Sequence, residues 1–86
     1  MVHYERETIR QRVHTILEDK LDADTDVLND TTYLVEDLGA DSLDVMEICL
    51  EIETAYSIEI EASDFQNLRN VGEIVEFLYG RLNPGN

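Results

Sequence analysis

The chain has 86 residues, of which 43% are apolar and 20 are acidic against 6 basic, for a formal net charge of -14. That length allows one helical core and excludes a deep catalytic cleft, and the charge repels nucleic acid phosphates and anionic membrane surfaces, so partners are expected to carry basic patches. The single cysteine, Cys49, excludes an internal disulfide and any cysteine-based metal cluster. No apolar run is long enough to span a membrane and the N-terminus lacks the apolar centre of a secretion signal, so the expected compartment is the cytoplasm, without membrane insertion.

A first helix is predicted from Tyr4 to Lys20, because Ile9, Val13, Ile16 and Leu17 recur on one face. It also carries Arg6, Arg10, Arg12 and Lys20, which leaves the rest of the chain strongly acidic. From Leu21 to Asp41 the sequence is rich in Asp, Thr and Asn and has no sustained period, as expected for a long loop pinned to a bundle by Leu28, Tyr33, Leu34, Val35 and Leu38. A second helix begins at Asp41 or Ser42 and runs to Tyr56, with Asp41 as cap and Asp44 in the first turn. Val45, Ile48, Cys49, Ile52 and Tyr56 share one side of it, and Leu43, Met46 and Leu50 widen the apolar arc beyond what one core contact needs. Glu53 falls inside that arc without an evident partner.

Residues 57–61 alternate like a short extended segment, and one helical turn begun by Ser63 and Asp64 is expected between Ala62 and Leu68. Val71, Ile74, Val75, Leu78 and Leu82 mark a last helix capped by Asn70, followed by a frayed tail from Asn83 to Asn86. The expected fold is all-α: one domain over residues 1–86, a small bundle of three main helices plus one short helix, with the long loop between helices one and two.

No set of residues converges on catalysis or on a metal. His3 and His14 are distant in sequence from Ser42 and are expected to be solvated. The run from Asp22 to Asp26 opens like a calcium loop, but Val27 and Tyr33 stand where Gly and Glu are required. Clustered Glu36, Asp41 and Asp44 leave weak cation binding open beside the simpler description of a solvated face. The informative stretch runs from Leu38 to Asp44, where a Gly turn, a helix start and a hydroxyl meet. Asp41 supplies the cap and frees Ser42 to point outward, at a helix end whose N-H groups and positive field suit an attached phosphate.

The segment Glu36-Asp37-Leu38-Gly39-Ala40-Asp41-Ser42-Leu43-Asp44 resembles the modification site of acyl carrier proteins, and the likeness continues through Tyr56, residues 58–60 and residues 68–78. The resemblance implies a free-standing, non-catalytic monomer whose Ser42 receives 4'-phosphopantetheine from coenzyme A by the action of a phosphopantetheinyl transferase. It further implies that Asp41, Leu43, Asp44, Met46, Glu47 and Leu50 meet basic partner enzymes, those of fatty acid, polyketide or related lipid biosynthesis. Ile52, Ile60, Leu68 and Ile74 are implied as borders of a space for the acyl chain, with core packing as their default role. Glu61 stands where many fatty acid carriers have Pro, and Thr54 is neutral where they have an acid, which keeps a dedicated polyketide, aminoacyl or peptidyl pathway in view. An unmodified acidic interaction module is the alternative from another class, since charge alone would serve it.

Overall fold

The computed structural model describes residues 4–84. They form α1 (Arg6–Leu21), α2 (Ser42–Tyr56), α3 (Ala62–Phe65) and α4 (Val71–Leu82), with one 3-10 turn at Thr25–Val27 inside the α1–α2 loop. The expected bundle of three main helices and one short one is therefore present. α1 is the central element and packs against both α2 and α4. Its Ile9, Val13, Ile16 and Leu17 are all buried, as their spacing predicts, and they meet Ile48 and Ile52 of α2 and Ile74, Val75 and Leu78 of α4 in one core.

Ion pairs tie the outer edges of the bundle. Arg6 bonds both carboxylate oxygens of Glu76, at 2.6 and 3.0 Å, and its guanidinium lies 4.0 Å above the Tyr79 ring. Arg10 forks onto Asp30 at 2.9 and 3.1 Å, and Lys20 lies 3.4 Å from Glu51. These pairs hold the Asp30 and Glu76 carboxyls below their usual range through hydrogen bonds from Arg10 and Arg6. Their side chains remain partly solvated, so each pair stabilises the fold only modestly. With most of the net charge unneutralised, self-repulsion remains the larger electrostatic effect. Raising NaCl from near zero to about 0.2 M, which shortens the screening length to under 10 Å, is expected to raise the Tm; a Tm indifferent to salt would contradict this.

The α1–α2 loop is held by buried Leu28 and Leu34 and half-buried Tyr33 and Leu38, as expected. Val35 departs from that expectation and is 54% exposed. Residues 33–39 wind into a tight turn, with Asp37 and Leu38 N-H groups donating to the Tyr33 carbonyl and Gly39 N-H to the Val35 carbonyl. That winding sends Leu34 inward and Val35 outward. The loop also borrows hydrogen bonds from the start of α4: Leu34 N-H donates to Arg69 O at 3.0 Å, Val71 N-H to Thr32 O at 3.1 Å and Gly72 N-H to Asp30 O at 2.9 Å. A Cβ on Gly72 would lie 2.9 Å from that carbonyl oxygen and 3.1 Å from Asp30 Cβ. Gly72→Ala is therefore expected to destabilise the fold by about 1–2 kcal/mol despite its gain in helix propensity, read as a lower urea midpoint at constant slope.

Four further expectations are corrected. α1 starts at Arg6, two residues after the predicted Tyr4, with Glu5 extended before it. α3 starts at Ala62 because Asp64 acts as its third residue, reaching back to accept the Glu61 N-H at 3.1 Å, so Ser63 and Asp64 do not begin the turn. Asn83 is 7% exposed and not frayed: its amide bridges to Tyr4, accepting the Tyr4 N-H at 3.0 Å and donating to the Tyr4 carbonyl at 2.8 Å. Gly85 and Asn86 lie outside the described residues, as does His3. His14 is half-buried, with its Nε2 atom shielded against the loop near Leu28 and Asp30, because α1 turns that position towards the loop and away from solvent.

Candidate attachment site

Ser42 is the first residue of α2 and is exposed. The chain reaches it through Gly39, whose φ of +72° is the left-handed conformation that glycine adopts without a Cβ penalty, and through Ala40, buried at 3% exposure. Ala40 N-H donates to Leu34 O at 2.9 Å, which fixes the residue before the helix cap to the turn beneath it. Asp41 then caps α2: its Oδ1 accepts the Asp44 N-H at 2.9 Å, while Asp44 Oδ2 accepts the Asp41 N-H at 3.2 Å. These reciprocal bonds use the two carboxylates and leave the Ser42 hydroxyl outside them. It stands at the positive end of a helix of 15 residues, where a phosphodiester is favoured by the helix dipole.

Beside the serine lies an open apolar groove of about 430 Å³, lined by Val35, Ala40, Asp41, Ser42, Val45, Met46 and Phe65. Three separated parts of the chain build it: the loop turn, the first turns of α2, and α3. Along α2, Leu43, Met46 and Leu50 are 67%, 51% and 55% exposed, an unusual degree for three large apolar side chains on one helix. Asp41 and Glu47 are exposed and Asp44 is half-buried, so acidic and apolar groups alternate over that surface. Of the six residues expected to meet partners, Asp41 and Met46 line the groove with Ser42, whereas Glu47 and Leu50 line a separate hollow further along α2 with Lys20, Glu51 and Thr54. Ile52, Ile60, Leu68 and Ile74 are 1%, 6%, 2% and 1% exposed and belong to the core cluster; none of them lines the groove.

Val35, Ala40, Val45 and Phe65 are the groove residues that the sequence did not single out. Val35 carried a signal, as an apolar residue in an otherwise acidic turn, but Phe65 reaches the site only through the fold. Glu53, unexplained by pattern, accepts the Ile60 N-H at 2.6 Å and so ties the chain after α2 back onto that helix. Cys49 is buried at 3% exposure, and burial pushes its thiol up to about 11, so it is unreactive at neutral pH. In the Asp22–Asp26 run, Asp24 accepts the Asp26 N-H at 3.0 Å as cap of the 3-10 turn. Among the described residues no cluster of three His, Cys, Asp or Glu is placed to hold a metal ion, and no helix is long and apolar enough to cross a membrane.

Comparison with known proteins gives the same class. Residues 11–78 match the family described as the phosphopantetheine attachment site. The chain is 31% identical over 77 residues to the acyl carrier protein of Thermotoga maritima, covering 90% of this chain and 95% of that one. It is 39% identical over 74 residues to the acyl carrier protein of Amoebophilus asiaticus, covering 86% and 92%. Among solved structures it is similar to an acyl carrier protein from Enterococcus faecalis, with a TM-score of 0.77 and 32% identity over 90% of this chain and 98% of that one. The chain belongs to the acyl carrier protein family, non-catalytic carriers that work through a covalently attached phosphopantetheine group.

Proposed function

We propose that Ser42 Oγ is the attachment point of 4'-phosphopantetheine and that the chain presents acyl groups, bound as thioesters on that arm, to biosynthetic enzymes. The observation that carries this is the exposed hydroxyl on the first residue of α2, with the capping bonds assigned to Asp41 and Asp44 instead. The residues present suit the group. The helix end favours the phosphodiester, and Val35, Val45, Met46 and Phe65 offer an apolar surface to the less polar part of an arm leaving Ser42. When attached, the arm supplies a thiol that holds cargo in activated form; the chain itself positions the arm and recruits the enzymes that act on it.

Recruitment falls to Leu43, Met46 and Leu50, which enter apolar pockets, and to Asp41, Asp44 and Glu47, which face Arg and Lys. Charge attraction speeds encounter and a small buried area permits fast release, as a carrier that visits several enzymes needs. The partners are a phosphopantetheinyl transferase and enzymes of fatty acid, polyketide or related lipid biosynthesis, met by a monomer in the cytoplasm. Neutral Thr54 and acidic Glu61 keep a dedicated pathway in view beside general fatty acid synthesis. Ile52, Ile60, Leu68 and Ile74, close-packed as they are, border a cargo space only if α2 and α3 separate.

Intact mass after incubation with coenzyme A and a broad-specificity transferase tests the proposal. The wild type is expected to gain one phosphopantetheine and Ser42→Ala none. A wild type that gains nothing would instead favour an acidic interaction module.

A further inference from the structure

Residues 57–68 cross from α2 to α4, and their backbone hydrogen bonds are almost all local. Asp64 N-H donates to Glu61 O at 2.9 Å, Asn67 N-H to Asp64 O at 3.0 Å and Leu68 N-H to Phe65 O at 3.2 Å, while Ile58 N-H returns to Glu53 O at 3.2 Å. Two side chains from opposite helices grip the middle of this segment. From α2, Glu53 Oε2 accepts the Ile60 N-H at 2.6 Å. From α4, Arg81 Nη1 donates to the Glu59 carbonyl at 2.7 Å, its Nη2 lies 3.5 Å from Asp64 Oδ2, and the guanidinium sits 4.8 Å above the Phe77 ring. Adjacent residues of one extended stretch are thus held by a carboxylate on one side and a cation on the other. Directly after them comes α3, a four-residue turn too short to hold itself in place, whose Phe65 is one wall of the groove beside Ser42.

We infer that Glu53 and Arg81 form a latch that sets how closely α3 approaches α2, and that opening it on the Arg81 side widens the groove beside Ser42 for cargo. The inference rests on the groove's proposed role for the arm. Both are positioning residues. Ile60 and Leu68 are buried on either side of α3, so the turn is anchored at both ends and any opening is confined to the residues between them. The Arg81 bonds are solvent-exposed and therefore weak enough to break without global unfolding, which makes α3 a unit of low local stability.

The test begins with the unmodified protein, by NMR relaxation dispersion of amides 58–68 in the wild type, Arg81→Met, Arg81→Lys and Glu59→Gln. Arg81→Met is expected to raise the open population of this segment about threefold to tenfold, the loss of one exposed charge-assisted hydrogen bond, with α1 amides unchanged. Arg81→Lys should restore part of the effect, and Glu59→Gln should have none, because the acceptor is the backbone carbonyl. In protein loaded with an octanoyl thioester, Arg81→Met should slow thioester cleavage by neutral hydroxylamine by a similar factor, because the wider groove takes up the cargo and shields it. Unchanged amides at 58–68, or exchange spread equally over all helices, would overturn the latch; faster α3 opening with an unchanged cleavage rate would overturn its link to cargo. A protein that accepts no phosphopantetheine would sink the carrier reading alone, since the NMR result stands without it.

Discussion

Truncation of Leu78 to Ala is expected to lower the unfolding free energy by about 2–5 kcal/mol. Leu78 is fully buried on α4, at 0% exposure, in the cluster where α1, α2 and α4 meet. The substitution removes three carbons from a close-packed site, so the lost burial adds to the cost of the cavity left behind. For a domain of this size the total stability is on the order of 5–10 kcal/mol, so the variant would sit near the edge of folding at 37 °C. Leu43→Ala is the matched control: at 67% exposure it should change stability by less than about 0.5 kcal/mol. Urea unfolding of both variants checks the pair. Equal losses would mean that the core is not where the structure places it.

The second large effect is expected at Glu47. It is exposed on the second turn of α2, one helical turn after Leu43 and next to Met46, and no cation pairs with it among the described ion pairs. Glu47→Lys changes the local charge by two and places a cation where partners are expected to present Arg or Lys. At low salt the kcat/KM for modification by a phosphopantetheinyl transferase should fall by about tenfold, while the Tm changes little. The difference should shrink as salt rises, because a screened encounter loses both attraction and repulsion. A fall that is independent of salt would point to lost contact area instead of lost steering, and no fall would remove Glu47 from the docking surface.

Much of this molecule was legible in sequence because α2 and α4 carry their own start signals. Asp41 and Asp44 form the capping box that their spacing announced, and Asn70 accepts the Glu73 N-H at 2.8 Å as the cap of α4. The burial of Ile9, Val13, Ile16 and Leu17 follows from period alone. What stayed hidden depends on contacts between distant parts of the chain. The inward turn of Glu53, the bridge from Asn83 to Tyr4 and the exposure of Val35 each arise from a backbone group or surface that only the folded chain brings near. The groove beside Ser42 was invisible for the same reason, since its walls come from a loop, α2 and α3. The serine itself stood out because a helix start, a Gly turn and a spare hydroxyl coincide within residues 38–44, a local pattern that needs no tertiary knowledge.

Cys49 offers a clean background for the decisive experiment, since burial and a raised thiol pKa are expected to keep it from alkylating reagents at neutral pH in the folded protein. The protein is treated with coenzyme A and a transferase, alkylated while folded, and mapped by peptide mass spectrometry. The peptide containing Ser42 should carry both the phosphopantetheine and the alkyl group on its terminal thiol, with Cys49 unlabelled. An added mass on any other residue, or none anywhere, would contradict the assignment of Ser42 as the bearer of the arm.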